Sequence, residues 1–296
     1  MSESLRVLPF PAPLGAELVG LDWRQPVSEA DMPAVLQAWA RHLVLLFRGP
    51  AADDAQLIAF SRRFGELDLC PPNDLGRTHI EAHPEIVVIS NAMRDGRRIG
   101  SLGNGESIWH TDMSYVAQPP KASLLHALEI PPAGGDTQFC NMYLALESMP
   151  ADLRRQLQGA TVVHDESRDS AGQLRKGWAP VTDPRQAPGA RHPMIRIHPD
   201  TGRAALFLGR RRNAYVLGHS LEDSEALLDR VWAHATRPEF AWRHHWRAGD
   251  LVLWDNRCTM HRRDAFDPST TRIMHRTQVH GEPVRAPADW HQAAAT

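Results

Sequence analysis

Residues 249–278 read GDLVLWDNRCTMHRRDAFDPSTTRIMHRTQ, and the reading of this stretch decides the fold. Leu251, Val252, Leu253 and Trp254 follow the turn signal Gly249-Asp250 and precede the polar Asp255-Asn256-Arg257. A short apolar run bounded by turn residues predicts a buried strand. His261 stands a few residues beyond it, and Asp267-Pro268-Ser269 marks a loop. Thr271 to Val279 then alternates. On a strand, Arg272, Met274, Arg276 and Gln278 share one face, and Ile273, His275, Thr277 and Val279 share the other. The stretch therefore reads as a hairpin with a histidine at its mouth and two arginines on one wall. Buried guanidinium groups need anions. Taken alone, the two arginines are more simply read as partners of structural carboxylates, or as groups pointing to water.

Outward from this stretch, the chain reads as many short strands with helices before and between them. Ser28, with Asp31 three residues on, predicts a helix reaching about His42. Leu43 to Phe47 is a buried strand. Asp53 or Asp54 caps a second helix that Gly65 ends. Residues 66–84 look irregular, with Pro71-Pro72-Asn73 as a loop signal, and Ile86 to Ile89 is a strand. Ala122 to Ile130, the turn 131–135, and Asp136 to Met142 form two strands. Residues 143–158 are helical and interrupted at Pro150. Met194 to His198 and Ala204 to Leu208 flank the turn Asp200-Thr201-Gly202. Ser220 caps a helix to about Thr236, and Phe240, Trp242, His244 and Trp246 alternate as a half-buried strand. The expected fold is mainly β with helical decoration, a double-stranded β-helix or jelly-roll barrel of the cupin kind. No linker splits the chain, so one domain over 1–296 is expected. Residues 165–192 are rich in Gly, Pro and Arg and lack periodicity, which suits an active-site lid; 282–296 reads as a tail.

Composition excludes several classes. Net charge is −2, so no nucleic-acid or membrane footprint appears. No run approaches the roughly 18 apolar residues that a spanning helix needs, and the N-terminus lacks a signal-peptide pattern. The three cysteines, Cys70, Cys140 and Cys258, are isolated, which argues against a disulfide framework and suits a reducing cytoplasm.

One motif carries chemistry. In Trp109-His110-Thr111-Asp112, a strand would point residues 110 and 112 the same way. A second histidine, for which His261 is the candidate, would complete a two-histidine, one-carboxylate face of the kind non-haem Fe(II) oxygenases use. A lone His-x-Asp is weak. His198-Pro199-Asp200 repeats it, with Asp200 better explained as a turn former, and His79-Ile80-Glu81 with His83 imitates a metal site. A three-ligand zinc site remains open at this point.

The segments FSRRFGELD (60–68), WHTDMSY (109–115), PPAGGDTQFCNM (131–142), HPMIRIHPDTGRAALF (192–207), WDNRCTMHRRDAF (254–266) and TRIMHR (271–276) resemble, in order, the Fe(II)/2-oxoglutarate dioxygenases that include taurine dioxygenase and 2,4-dichlorophenoxyacetate dioxygenase. The likeness runs from about Leu14 to Gly281 and is closer to the second branch. It implies Fe(II), 2-oxoglutarate and O2 as cofactor and cosubstrates. It implies His110, Asp112 and His261 as iron ligands, and Thr137 with Arg272, eleven places beyond His261, as the holders of the far 2-oxoglutarate carboxylate. Arg276 would bind the anionic group of a small-molecule substrate, with Trp109, Met113 and the 165–190 stretch shaping the pocket. Asp255 and Asn256 would support the turn. The implied reaction hydroxylates a substrate carbon beside a heteroatom, with succinate and carbon dioxide as co-products. An aryloxyacetate would then yield a phenol and glyoxylate. The chain departs from the taurine enzyme at Cys70, where that enzyme places a sulfonate-binding histidine. This favours carboxylates, with sulfonates or sulfate esters as the alternative; a non-catalytic cupin-like metal binder and a zinc hydrolase are readings from other classes. A homo-oligomer is the expected assembly.

Overall fold

The stretch 249–278 does not fold on itself. In the computed structural model, which describes residues 5–70, 78–105 and 107–288, its three strands separate between two sheets. Leu251–Asp255 sits inside an eight-stranded sheet between Val44–Phe47 and Ala122–Glu129. Thr259–Arg263 crosses to a four-stranded sheet, between Thr137–Asn141 and Ser107–His110. Ile273–Val279 returns to the larger sheet, between Ala122–Glu129 and Val87–Ser90. The expected hairpin is therefore replaced by a crossing. The physical reason lies in Leu251–Trp254, where every residue is buried. Such a strand has no solvent face and needs partners on both edges. Leu251 and Leu253 pack with the helical layer, whereas Val252 and Trp254 pack between the sheets.

The larger sheet is completed by Arg6–Pro9 and Ala16–Val19 on one side and Ser101–Leu102 on the other, and the smaller by Ala241–His244 on its outer edge. Over residues 107–141 and again over 241–279 successive strands alternate between the two sheets, which makes the architecture a jelly roll; the strands between them form smaller sheets of their own. The helices Met32–His42 and Asp54–Ser61 cover the outer face of the larger sheet through Val35, Trp39, Leu57, Phe60 and the adjoining Phe64. The first helix starts three residues later than a cap at Ser28 suggests, with Pro33 in its first turn and no side-chain cap from Asp31. Ser28 Oγ instead bonds the Asp31 carboxylate at 2.7 Å. The second is held by a reciprocal capping box, in which Gln56 N donates to Asp53 Oδ1 at 2.8 Å and Asp53 N donates to Gln56 Oε1 at 2.9 Å.

The alternation in Ile273–Val279 divides the strand's duties. On the outer face, His275 bonds Asp54 at 2.6 Å and Thr277 bonds Ser61 at 2.7 Å, tying the strand to the helix. On the inner face Met274 joins the core between the sheets, and Arg276 and Gln278 follow it. Residues 165–192 form an ordered flap with a short 3-10 turn, Pro184–Gln186. Its two ends are stitched together, His164 N to Ala190 O and Glu166 N to Pro188 O, both at 2.9 Å. The Pro71-Pro72-Asn73 loop and the last part of the predicted tail, 289–296, lie outside the described residues.

Candidate active site

His110 closes the strand Ser107–His110, and His261 faces it across the sheet as its register partner. Their ring centroids are 4.1 Å apart. Asp112 is not on that strand. It lies in the turn beyond it, and Met113 follows with a left-handed φ of 44°. That turn brings the carboxylate back toward the rings, so convergence comes from loop geometry rather than from two-residue strand spacing. Asp112 Oδ1 stands 3.7 Å from His110 Nε2 and 3.9 Å from His261 Nε2. All three residues are buried.

The surrounding bonds prepare these groups for a cation. His110 Nδ1 donates to Ile108 O at 2.7 Å, which leaves Nε2 as a free lone pair. Burial pushes the pKa of His110 down and that of His261 well down, so both rings are neutral at neutral pH. Burial also opposes ionisation of Asp112, but Arg276, His261 and His110 outweigh it and hold its carboxyl well below the usual range. Two neutral imidazoles and one carboxylate are the donor set that suits Fe(II) while leaving open positions, so the residues present fit such an ion. Asp112 is in turn oriented by a buried chain of donors. Ser123 Oγ donates to Asp112 Oδ2 at 2.7 Å, Asn256 Nδ2 donates to Ser123 Oγ at 2.9 Å, and Trp254 Nε1 donates to Asn256 Oδ1 at 2.8 Å.

Arg272 is fully enclosed, at 2% exposure, and its Nε has no partner. Among the described residues no carboxylate forms an ion pair with it. Burial, with repulsion from Arg263, pushes its pKa down to about 9. A buried guanidinium without an anion is costly, and an exogenous carboxylate would relieve it by bidentate bonding. The neighbourhood fits that use. Trp246 lies under the Arg272 guanidinium at 5.9 Å and donates its Nε1 proton to Thr137 Oγ1 at 3.0 Å. Thr137 starts its strand after Gly134 and Gly135, whose φ values of 75° and 68° only glycine adopts freely. A Cβ on Gly135 would also stand 3.1 Å from Arg272 Cδ. The glycine pair thus turns the chain and makes room for the arginine.

Arg276, on the inner face of the same strand, donates from Nη1 to Asp112 Oδ1 at 2.8 Å. It lines a cavity of about 1100 Å³ together with His110, Asp112, Met113, Cys70 and His79. The flap supplies the opposite wall through residues that include Glu166, Asp169, Leu174 and Arg175. Of the residues expected to shape this pocket, Trp109 does not reach it. Its ring lies near Arg262 at 5.4 Å and lines a separate cavity of about 440 Å³ with Ile108 and Trp232. His110 ends its strand facing the barrel, so the preceding residue faces out. Sequence reasoning missed Ser123, which carries no signal of its own, and Trp246, whose only signal is its place in an alternating aromatic segment. It also missed Arg210 and Tyr115 on the cavity wall.

Comparison with known proteins fits this geometry. Residues 6–278 match the family described as taurine catabolism dioxygenase TauD, TfdA family. The chain is 33% identical over 269 residues to the alpha-ketoglutarate-dependent 2,4-dichlorophenoxyacetate dioxygenase of Burkholderia sp. (strain RASC), covering 88% of this chain and 89% of that one. It is equally, 33%, identical to pentalenolactone F synthase of Streptomyces arenae, over 91% of this chain and 93% of that one. Among solved structures, AAD-2 in complex with Mn(II) and N-oxalylglycine superposes with a TM-score of 0.80 at 28% identity, covering 96% of this chain and all of that one. No helix among the described residues is long and apolar enough to cross a membrane. A jelly roll that encloses neutral histidines, a carboxylate and an unpaired arginine, matched along nearly its whole length, places the chain in the TauD/TfdA family of Fe(II)- and 2-oxoglutarate-dependent dioxygenases.

Proposed function

We propose that the enzyme hydroxylates a small organic anion at a carbon beside a heteroatom, an aryloxyalkanoate being the favoured class. His110, Asp112 and His261 would hold the iron, and Thr137 with Arg272 the distal carboxylate of 2-oxoglutarate. Together, bound iron, cosubstrate and oxygen supply an oxidative decarboxylation coupled to hydroxylation. The chain's own residues bind, orient and exclude water. Arg276 is assigned to the anionic group of the substrate.

The observation that carries this reading is the position of Arg276. Its guanidinium faces the large cavity and already touches Asp112, so an anion bound there would lie beside the metal-binding carboxylate. Hydroxylation next to an ether oxygen gives a hemiacetal, which breaks to a phenol and glyoxylate when the substrate is an aryloxyacetate. Cys70 lines the cavity near Arg276 at the position where the taurine enzyme has its sulfonate-binding histidine, which favours carboxylates; His79, beside it on the same wall, is the reason to keep sulfonates in the test. The equal sequence identity with pentalenolactone F synthase is the reason to test widely.

The test is a succinate-release screen over aryloxyalkanoates, alkyl sulfonates and sulfate esters, with phenol release read in parallel. Phenol formed in step with succinate from an aryloxyacetate supports the reading; turnover confined to sulfonates or sulfate esters overturns it. In the Arg276→Ala enzyme, coupled turnover should vanish while slow substrate-independent succinate formation persists. Equal loss of both would move Arg276 to the cosubstrate or to folding.

A further inference from the structure

The flap side of the cavity carries positive charge that the proposed reaction does not use. Arg210 follows the strand Ala204–Leu206 and is 7% exposed. Its Nη1 donates to Arg168 O at 2.8 Å, and its Nε is buried without a partner. Arg175 comes from the flap, and its Nη1 donates to Tyr115 Oη at 2.7 Å. The two guanidinium groups flank one ring. Arg175 lies 4.2 Å and Arg210 5.5 Å from the centroid of Tyr115. All three residues line the large cavity. Among the described residues, neither arginine forms an ion pair with a carboxylate.

Two like charges on one aromatic ring repel. Burial lowers the pKa of Arg210, and Arg175 lowers it further. The carboxylates that offset this charge, Asp112 and Asp169, act on Arg210 without bonding to it. A protein that only needed a structural wall would gain by replacing one of these cations or by pairing it. Arg97 and Arg98, at the rim of the same cavity, add exposed positive charge. The cavity, at about 1100 Å³, also slightly exceeds the range of roughly 300–1,000 Å³ usual for pockets that hold a drug-sized ligand. The flap's own Glu166 and Asp169 line the cavity without bonding to either arginine, so a monoanionic aryloxyacetate held at Arg276 would leave Arg175 and Arg210 without a paired carboxylate.

We infer that Arg175 and Arg210, set across Tyr115, form a second anion subsite, and that the substrate is a dianion with acidic groups at both ends. One group meets Arg276 beside the iron ligands. The other is received by the two guanidinium groups that the Tyr115 ring holds side by side on the cavity wall. This inference rests on the proposed role of Arg276 and narrows the substrate class from anion to dianion. It also gives the flap a part in selection, because Arg175 belongs to the flap and Arg210 to the loop after Ala204–Leu206. A dianion would bridge them.

The experiment compares matched probes on the full-length enzyme loaded anaerobically with Fe(II) and 2-oxoglutarate, by titration calorimetry. The probes are phenoxyacetate, 3- and 4-carboxyphenoxyacetate, and 4-carbamoylphenoxyacetate, which has the shape of the dianion without its second charge. The expected result is that one carboxy isomer binds about tenfold or more tighter than both singly charged probes. In Arg175→Gln the ratio should fall toward one, and Arg210→Lys, which keeps the charge but not the fork, should leave an intermediate ratio. A ratio near one in the unaltered enzyme overturns the inference, as does a preference that survives Arg175→Gln. Failure of the parent reading looks different: phenoxyacetate affinity would then be indifferent to Arg276→Ala. If only the dianions bind, and bind through Arg175, the inference stands and the aryloxyacetate assignment falls.

Discussion

Among the described residues, two buried clusters bring a histidine, an aspartate and a third donor within 4.8 Å of one another, His110 with Asp112 and His261, and His198 with Asp255 and Cys258. Only the first has donor capacity to spare. In the second, His198 Nδ1 accepts from the backbone N–H groups of Asp200 and Thr201 at 3.2 and 3.3 Å, which leaves Nε2 to donate to Asp255 Oδ2 at 2.9 Å. Both oxygens of Asp255 also accept from Arg257, at 2.9 and 2.8 Å. Burial opposes the charge on Asp255, but Arg257 and His198 overcome it and hold the carboxyl far down. Burial and the same carboxylate push the Cys258 thiol well up, away from the thiolate a metal would want. Its lone pairs are spent within the protein, and it clasps the turn that sends the chain from one sheet to the other. The first cluster keeps two imidazole nitrogens uncommitted and opens on a cavity. Proximity alone does not make a metal site; uncommitted donors facing a space do.

The comparison can be broken most decisively at Asp112. Asp112→Ala should reduce turnover to background and strip iron from the purified protein, read by metal analysis, while Asp255→Asn should not lower iron content per folded molecule. Iron retained in the first variant, or lost from folded protein in the second, would merge the two clusters. The next effect in size concerns Arg272. Each charge-assisted bond is worth about 1.5–3 kcal/mol, so Arg272→Leu should weaken 2-oxoglutarate binding about a hundredfold or more. The same variant should melt higher than the parent when no cosubstrate is present, because a buried unpaired cation has been removed. A lower melting temperature would mark Arg272 as structural.

The Arg272 site also predicts a pH dependence. Burial first, then Arg263, lowers its pKa to about 9, below the ordinary arginine value, so the free enzyme loses this proton sooner than an exposed arginine would. Only the protonated form attracts a carboxylate, and the bound anion raises the pKa again. Cosubstrate affinity should be flat below pH 9 and fall by about tenfold per unit above it. Affinity unchanged up to pH 11 would remove Arg272 from the cosubstrate site. A smaller effect follows from Ser123, which orients Asp112. Ser123→Ala should weaken iron binding about tenfold, in the range usual for residues that support a ligand. The smallest effect on activity belongs to the second cluster. Asp255→Asn should cost about 3 kcal/mol of stability by leaving Arg257 short of its main partner, with little change in turnover per folded enzyme.

How much of this was legible before folding varies by residue. His110, Asp112 and His261 stand in a recognisable order, and the alternation of Arg272 to Val279 already separates a polar inner face from an outer one. Ser123 and Trp246 could not be read, because neither sits in a chemically suggestive pattern and each works through a partner more than 100 residues away, Asn256 and Thr137. Trp109 shows the reverse failure. It adjoins the candidate metal ligand His110 in sequence, but adjacent residues on a strand face opposite sides, and it ends in another cavity. The clustering of His198 with Asp255 and Cys258 was equally hidden, since it joins segments about 57 residues apart.

The sequence by itself determined the family and the strand-rich architecture, and it singled out the candidate donors, because these depend on residue type and local period. Tertiary structure alone decided that residues 249–278 divide between two sheets, that a turn rather than a strand aims Asp112, and that Arg175 and Arg210 meet across Tyr115. Each of those depends on which distant edges pair, and pairing is settled by burying both faces of strands such as Leu251–Asp255, a requirement that no local pattern records.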